Sequence, residues 1–103
     1  MRITDTLEPK SVFSYFADLC AIPHGSGNTK AISDYCVRFA ESHGFEAHQD
    51  ALNNVIIVCP ATSGCESAEP VIIQGHLDMV TEKTADCPLD MTRDGLDLAL
   101  DGD

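Results

Sequence analysis

The residues best suited to chemistry in this sequence are His76 and Asp78, which close the stretch Val71-Ile72-Ile73-Gln74-Gly75-His76-Leu77-Asp78. In an extended chain, positions two apart project to the same side, so this imidazole and carboxylate would share one environment at the end of a strand. A metal site uses such a pair. A histidine ligand must be neutral with its ring fixed, and a carboxylate on the second ring nitrogen, or just behind the metal, provides that orientation. Gly75 leaves room for close approach. The same spacing also describes a surface histidine beside a solvated aspartate, and the residues by themselves leave both readings open.

Other groups are weaker candidates. His24 lies in the turn-forming cluster Pro23-His24-Gly25-Ser26-Gly27-Asn28, either bordering a substrate cleft or solvated. His43 and His48 have no partner at ligand spacing and are expected at the surface. Asp94, Asp97, Asp101 and Asp103 lack the Asp-x-Asp-x-Asp-Gly spacing and closing glutamate of a calcium loop, so they read as solvated strand edges. Cys20, Cys36, Cys59, Cys65 and Cys87 are odd in number, and none are spaced Cys-x-x-Cys. Structural zinc on these thiols is not expected, and a reducing cytoplasm suits them.

The elements that must position His76 and Asp78 follow from hydrophobic period. Val12, Phe13, Phe16, Leu19 and Cys20 fall at helical spacing, predicting an amphipathic helix over Glu8 to Ala21, with Pro9 in its first turn and a stop before Pro23. A second helix is predicted from a cap at Asn28 or Thr29 through Phe39, burying Ile32, Tyr35, Cys36 and Phe39, with Gly44 as a left-handed end. The period then shortens. Phe45 to Asp50 alternates like an exposed strand, Asn53-Asn54 turns the chain, and Val55 to Val58 reads as a buried strand, together a hairpin. After a polar loop from Pro60 to Pro70, a further buried strand is predicted over Val71 to Gly75, with His76 at its end, where open α/β sheets carry their chemistry. Leu96 to Leu100 alternates like one more strand, and Asp101-Gly102-Asp103 like the turn of a hairpin whose return strand is absent.

Composition bounds the function. A chain of 103 residues holds one domain or part of one. Seventeen acidic against six basic residues give a formal charge of -11, which repels phosphate backbones and anionic lipid. Neither a charged start leading into an apolar run nor a stretch near the ~18 apolar residues of a membrane span is present. No nucleic-acid or membrane partner is expected, while cations and small polar substrates remain compatible.

The stretch Val71 to Val80 around Gly75-His76-Leu77-Asp78 resembles the first metal-binding motif of the M20 family of zinc peptidases, closest to its aminoacyl-histidine dipeptidase branch. Cys20-Ala21-Ile22-Pro23-His24-Gly25-Ser26 is similar to that branch's helix-to-loop segment, Asp50-Ala51-Leu52-Asn53-Asn54-Val55 to its hairpin turn, and Pro60-Ala61-Thr62 to the start of the following loop. The resemblance runs from about Leu7 to Asp103. One departure is Asn53, where family members commonly carry glycine. Asparagine tolerates a left-handed backbone, so the turn is expected to survive.

The resemblance implies that His76 ligates one of two zinc ions, with cobalt or manganese as alternative metals, and that Asp78 is the active-site aspartate that orients the metal site. It implies an α/β fold, two N-terminal helices followed by strands of a mixed sheet, with residues 1–103 forming the N-terminal part of a single catalytic domain that a lid or dimerisation domain interrupts. The bridging aspartate, the glutamate general base and the other ligands would lie beyond residue 103. The whole protein is then expected to be a cytoplasmic, homodimeric zinc dipeptidase acting on Xaa-His or similar dipeptides, and this chain alone to be inactive. The rival readings are a truncated α/β module without metal, and another M20 member such as an aminoacylase or tripeptidase.

Overall fold

A computed structural model describes residues 1–102 and divides the chain into two compact units, residues 1–32 with 78–103, and residues 33–77. Along the sequence, a 3-10 turn at Ile3–Thr6 precedes helix α1 (Lys10–Ala21), helix α2 (Lys30–Ser42) and strands β1 (Glu46–Gln49) and β2 (Val55–Val58). Two helices followed by strands is the α/β arrangement expected.

Helix α1 begins at Lys10, because Pro9 sits at its N-cap in extended conformation and only its carbonyl takes part, accepting from Phe13 N at 3.2 Å. It ends where Ile22 turns extended ahead of Pro23, whose ring disfavours helical backbone in the residue before it. Arg2 joins the preceding turn to α1 through an ion pair with Asp18. The buried face differs from the expected stripe. Of that stripe Cys20 is buried and Phe13 and Leu19 are half-buried, while Val12 and Phe16 are more than half exposed, and Ala17, outside the stripe, is buried. Burial pushes the Cys20 thiol above its ordinary pKa, as expected of a small core residue rather than a reactive thiolate.

Helix α2 runs three residues past Phe39, to Ser42, and closes in a Schellman motif. Gly44 is left-handed (φ 73°), Phe45 N donates to Ala40 O at 2.8 Å and Gly44 N to Glu41 O at 3.0 Å. The His43 ring adds a side-chain cap, its Nδ1 2.8 Å from Phe39 O, and lies between the rings of Phe39 and Phe45.

The hairpin forms as predicted. β1 and β2 pair antiparallel with Glu46 opposite Val58 and Gln49 opposite Val55. Asn53 takes the left-handed conformation (φ 67°), and Asp50 braces the turn by accepting Leu52 N and Asn54 N at 2.9 Å each and Asn54 Nδ2 at 2.8 Å. These donors, the Asn54 side chain first, hold the Asp50 carboxyl below its ordinary pKa. On the face shared by Ala47 and Ile57, Gln49 Nε2 donates to Ser33 Oγ at 2.7 Å and Asp34 Oδ1 at 2.9 Å. Only this face is partly buried. Ile56 and Val58 on the other are exposed, so β2 is not the fully buried strand expected.

Two predicted strands do not form among the described residues. Val71 to Gly75 pairs with nothing, and Val71, Ile72 and Ile73 are 85, 89 and 95% exposed. A strand forms only with a partner backbone in its ladder; this run has none, and its N–H and C=O groups are left to water. Among the described residues the sheet is two-stranded and antiparallel. Leu96 to Leu100 likewise has no strand partner, though Leu96 N donates to Cys20 O at 2.8 Å. The expected turn at Asp101-Gly102-Asp103 falls partly outside the described residues; within them, Gly102 is left-handed.

Candidate functional site

Asp78 is held by the loop that leaves α1. Once Pro23 has forced Ile22 extended, the chain runs alongside residues 78–81. Gly25 forms a parallel bridge with Met79, and Met79 N donates to His24 O at 2.9 Å. Gly25 is buried, and a Cβ there would collide with the Thr81 side chain. Ser26 Oγ donates to Asp78 Oδ2 at 2.5 Å, across 52 residues of sequence. Asn28 secures the far end of the loop, its backbone N bonded to Gly25 O at 2.8 Å and its side-chain amide to Thr92 O at 3.2 Å. The half-buried Asp78 carboxylate is thus approached by a hydroxyl donor on a loop pinned at both ends.

His76 is exposed and outside any helix or strand, so it does not end a strand as the sequence suggested. It falls in the second compact unit and Asp78 in the first. His24 is half-buried, its Nδ1–H donating to Ile22 O at 2.5 Å, which ties the ring to its own loop. His43 and His48 are exposed as expected; His48 Nε2 lies 2.6 Å from Glu46 Oε1.

The acidic C-terminal residues build turns instead of a cation loop. Asp90 Oδ1 accepts from Thr92 Oγ1 at 2.7 Å and Thr92 N at 2.9 Å, which holds the Asp90 carboxyl below its ordinary pKa, and Asp94 Oδ2 accepts Asp90 N at 2.7 Å. Asp97 and Asp101 are exposed, and Asp103 is outside the described residues. All five cysteines are free thiols. Among the described residues, no group of three or more His, Cys, Asp or Glu side chains is gathered as a metal would require.

The contact between Ser26 and Asp78 has no signal in the sequence. The serine's place in a Gly-Ser-Gly turn marks a loop, but nothing in local sequence says which distant side chain that loop meets.

The chain is 38% identical over 97 residues to the cytosol non-specific dipeptidase of Escherichia coli (strain K12), an alignment that takes in 94% of this chain and 20% of that protein. It superposes on the crystal structure of aminoacylhistidine dipeptidase from Vibrio alginolyticus with a TM-score of 0.90 and 37% identity, over 98% of this chain and 21% of that one. The chain is related to these dipeptidases. It spans about a fifth of the length of either relative, and no protein-family model matches it. The resemblance read from the sequence is thus the one that both relatives display.

Proposed function

We propose that this chain is the N-terminal part of the catalytic domain of a cytoplasmic, M20-type zinc dipeptidase, with His76 as a metal ligand and Asp78 as the aspartate that orients the site. The observation that carries this reading is its 38% identity to a dipeptidase over 94% of the chain, including the Gly75-His76-Leu77-Asp78 stretch. The donor types fit. An accessible imidazole followed two residues later by a carboxylate is what a zinc site draws on for a ligand and its support, though a catalytic zinc generally takes three protein ligands. The remaining donors, the general base and the second subunit of a homodimer would come from outside residues 1–103.

When bound, the two metal ions supply Lewis-acid polarisation of the scissile carbonyl and a more acidic attacking water. This chain's part would be to offer the His76 imidazole as a ligand and the Asp78 carboxylate as its support. Its strong negative charge suits a role toward cations and small peptides, and not toward nucleic acid.

In the longer polypeptide, His76→Ala should remove most hydrolysis of an Xaa-His dipeptide and lower zinc content. Asp78→Asn should keep the fold while reducing activity, since the amide lacks the charge. Residues 1–103 alone should neither turn over the dipeptide nor bind two zinc ions tightly by calorimetry. Full activity after both substitutions, or a working site in the isolated chain, would overturn the assignment. A second reading is an α/β module without metal and with no catalytic role. A longer polypeptide that neither binds zinc nor cleaves dipeptides would establish it.

A further inference from the structure

We propose that Ser26 is a positioning residue for Asp78, its hydroxyl proton fixing the carboxylate in one rotamer; the inference rests on the site reading above for its functional consequence, but not for its geometry. An ionised aspartate is acceptor-only and can turn about χ1 and χ2, so its direction is set by the donors around it. Ser26 Oγ lies 2.5 Å from Asp78 Oδ2, at the short end of charge-assisted O–H···O geometry.

The donor is itself fixed in place. Gly25, immediately before it, is bridged to Met79, immediately after Asp78, and Met79 N is bonded to His24 O. Ser26 and Asp78 therefore ride on two backbones that are already hydrogen-bonded to each other, so the backbone separation is set and only side-chain rotation is left for the hydroxyl and carboxylate to lose on meeting. Gly25 allows this approach, since any side chain there would push against Thr81. Asn28 N on Gly25 O keeps the loop from peeling away on the other side of Ser26. The serine is needed for its hydroxyl. An alanine would fit the same backbone and leave Asp78 Oδ2 without this donor.

Residues that orient an active-site group without touching substrate typically cost about 10- to 100-fold in activity or metal affinity when removed. For Ser26, on an exposed loop, the lower end is expected.

The test has two arms. In residues 1–103, side-chain scalar couplings of Asp78 by NMR should report one χ1 rotamer in the wild type, rotamer averaging in Ser26→Ala and recovery in Ser26→Thr, with the Met79 amide shift unchanged throughout. In the longer polypeptide, Ser26→Ala should lower kcat on an Xaa-His dipeptide by about tenfold with KM little changed, and Ser26→Thr should restore it. If the wild-type polypeptide cleaves no dipeptide, the dipeptidase reading fails while the coupling arm still decides the positioning claim. Asp78 equally ordered in Ser26→Ala, or averaged in the wild type, overturns the inference, as does a kcat in Ser26→Ala equal to that of an active wild type.

Discussion

Val55-Ile56-Ile57-Val58 and Val71-Ile72-Ile73 are nearly the same sequence, yet one is a strand and the other is not. The first has a partner strand that ends six residues back, brought round by a turn that Asn53 and Asp50 close. The second emerges from the polar loop of residues 60–70, has no ladder partner among the described residues and leaves three branched side chains in water. β-branched composition fits a residue to a pleated, half-buried surface and does not create that surface.

Amide hydrogen exchange should give the widest contrast between the two segments. Ladder amides of β1 and β2 should exchange slowly and those of Val71 to Gly75 close to unprotected rates; equal protection would break the comparison. The next largest effect is energetic. Ile57→Ala should cost about 1 to 2 kcal/mol in urea unfolding, scaled down from full-burial values because Ile57 is only half-buried, whereas Ile72→Ala should stay within about 0.5 kcal/mol.

At the turn that gives β2 its partner, Asn53→Val should cost about 1 to 2 kcal/mol by placing a branched residue at positive φ, and Asn53→Gly should be neutral or mildly stabilising. The smallest effect is on pH dependence. Asp50 has its pKa depressed in the fold, so its contribution is fully present above the ordinary aspartate value of about 3.9 and is lost as pH falls through the lower folded value. Asp50→Asn should flatten the acid limb of hairpin stability followed by NMR.

How much was legible in the sequence depends on how local the cause is. Both helices, the left-handed Gly44 and the Asn53 hairpin were readable because periodicity, a glycine and a turn residue act over a few positions. A strand was expected at Val71 to Gly75 and does not form, since pairing depends on a partner that periodicity cannot locate. The buried face of α1 was misread for a related reason. Cys20 was read correctly, but size and apolarity also singled out Val12 and Phe16 and passed over Ala17, because what is buried depends on which neighbours arrive. His76 and Asp78 stand out as candidates by residue type and spacing. The donor on Asp78 does not, because Ser26 is 52 residues away and only the folded loop brings it there.

The exposed Val71-Ile72-Ile73 run also shapes how the chain behaves as a solute. Copies carrying a formal charge of -11 repel one another in dilute buffer, and that repulsion acts over longer distances than the contact between two small apolar strips. The Debye length falls to about 10 Å at 0.1 M salt, and the repulsion then fades before the strips touch. Colloidal stability should therefore decline as ionic strength rises, the opposite of salting-in, and light scattering against sodium chloride concentration should show Ile72→Lys resisting that decline.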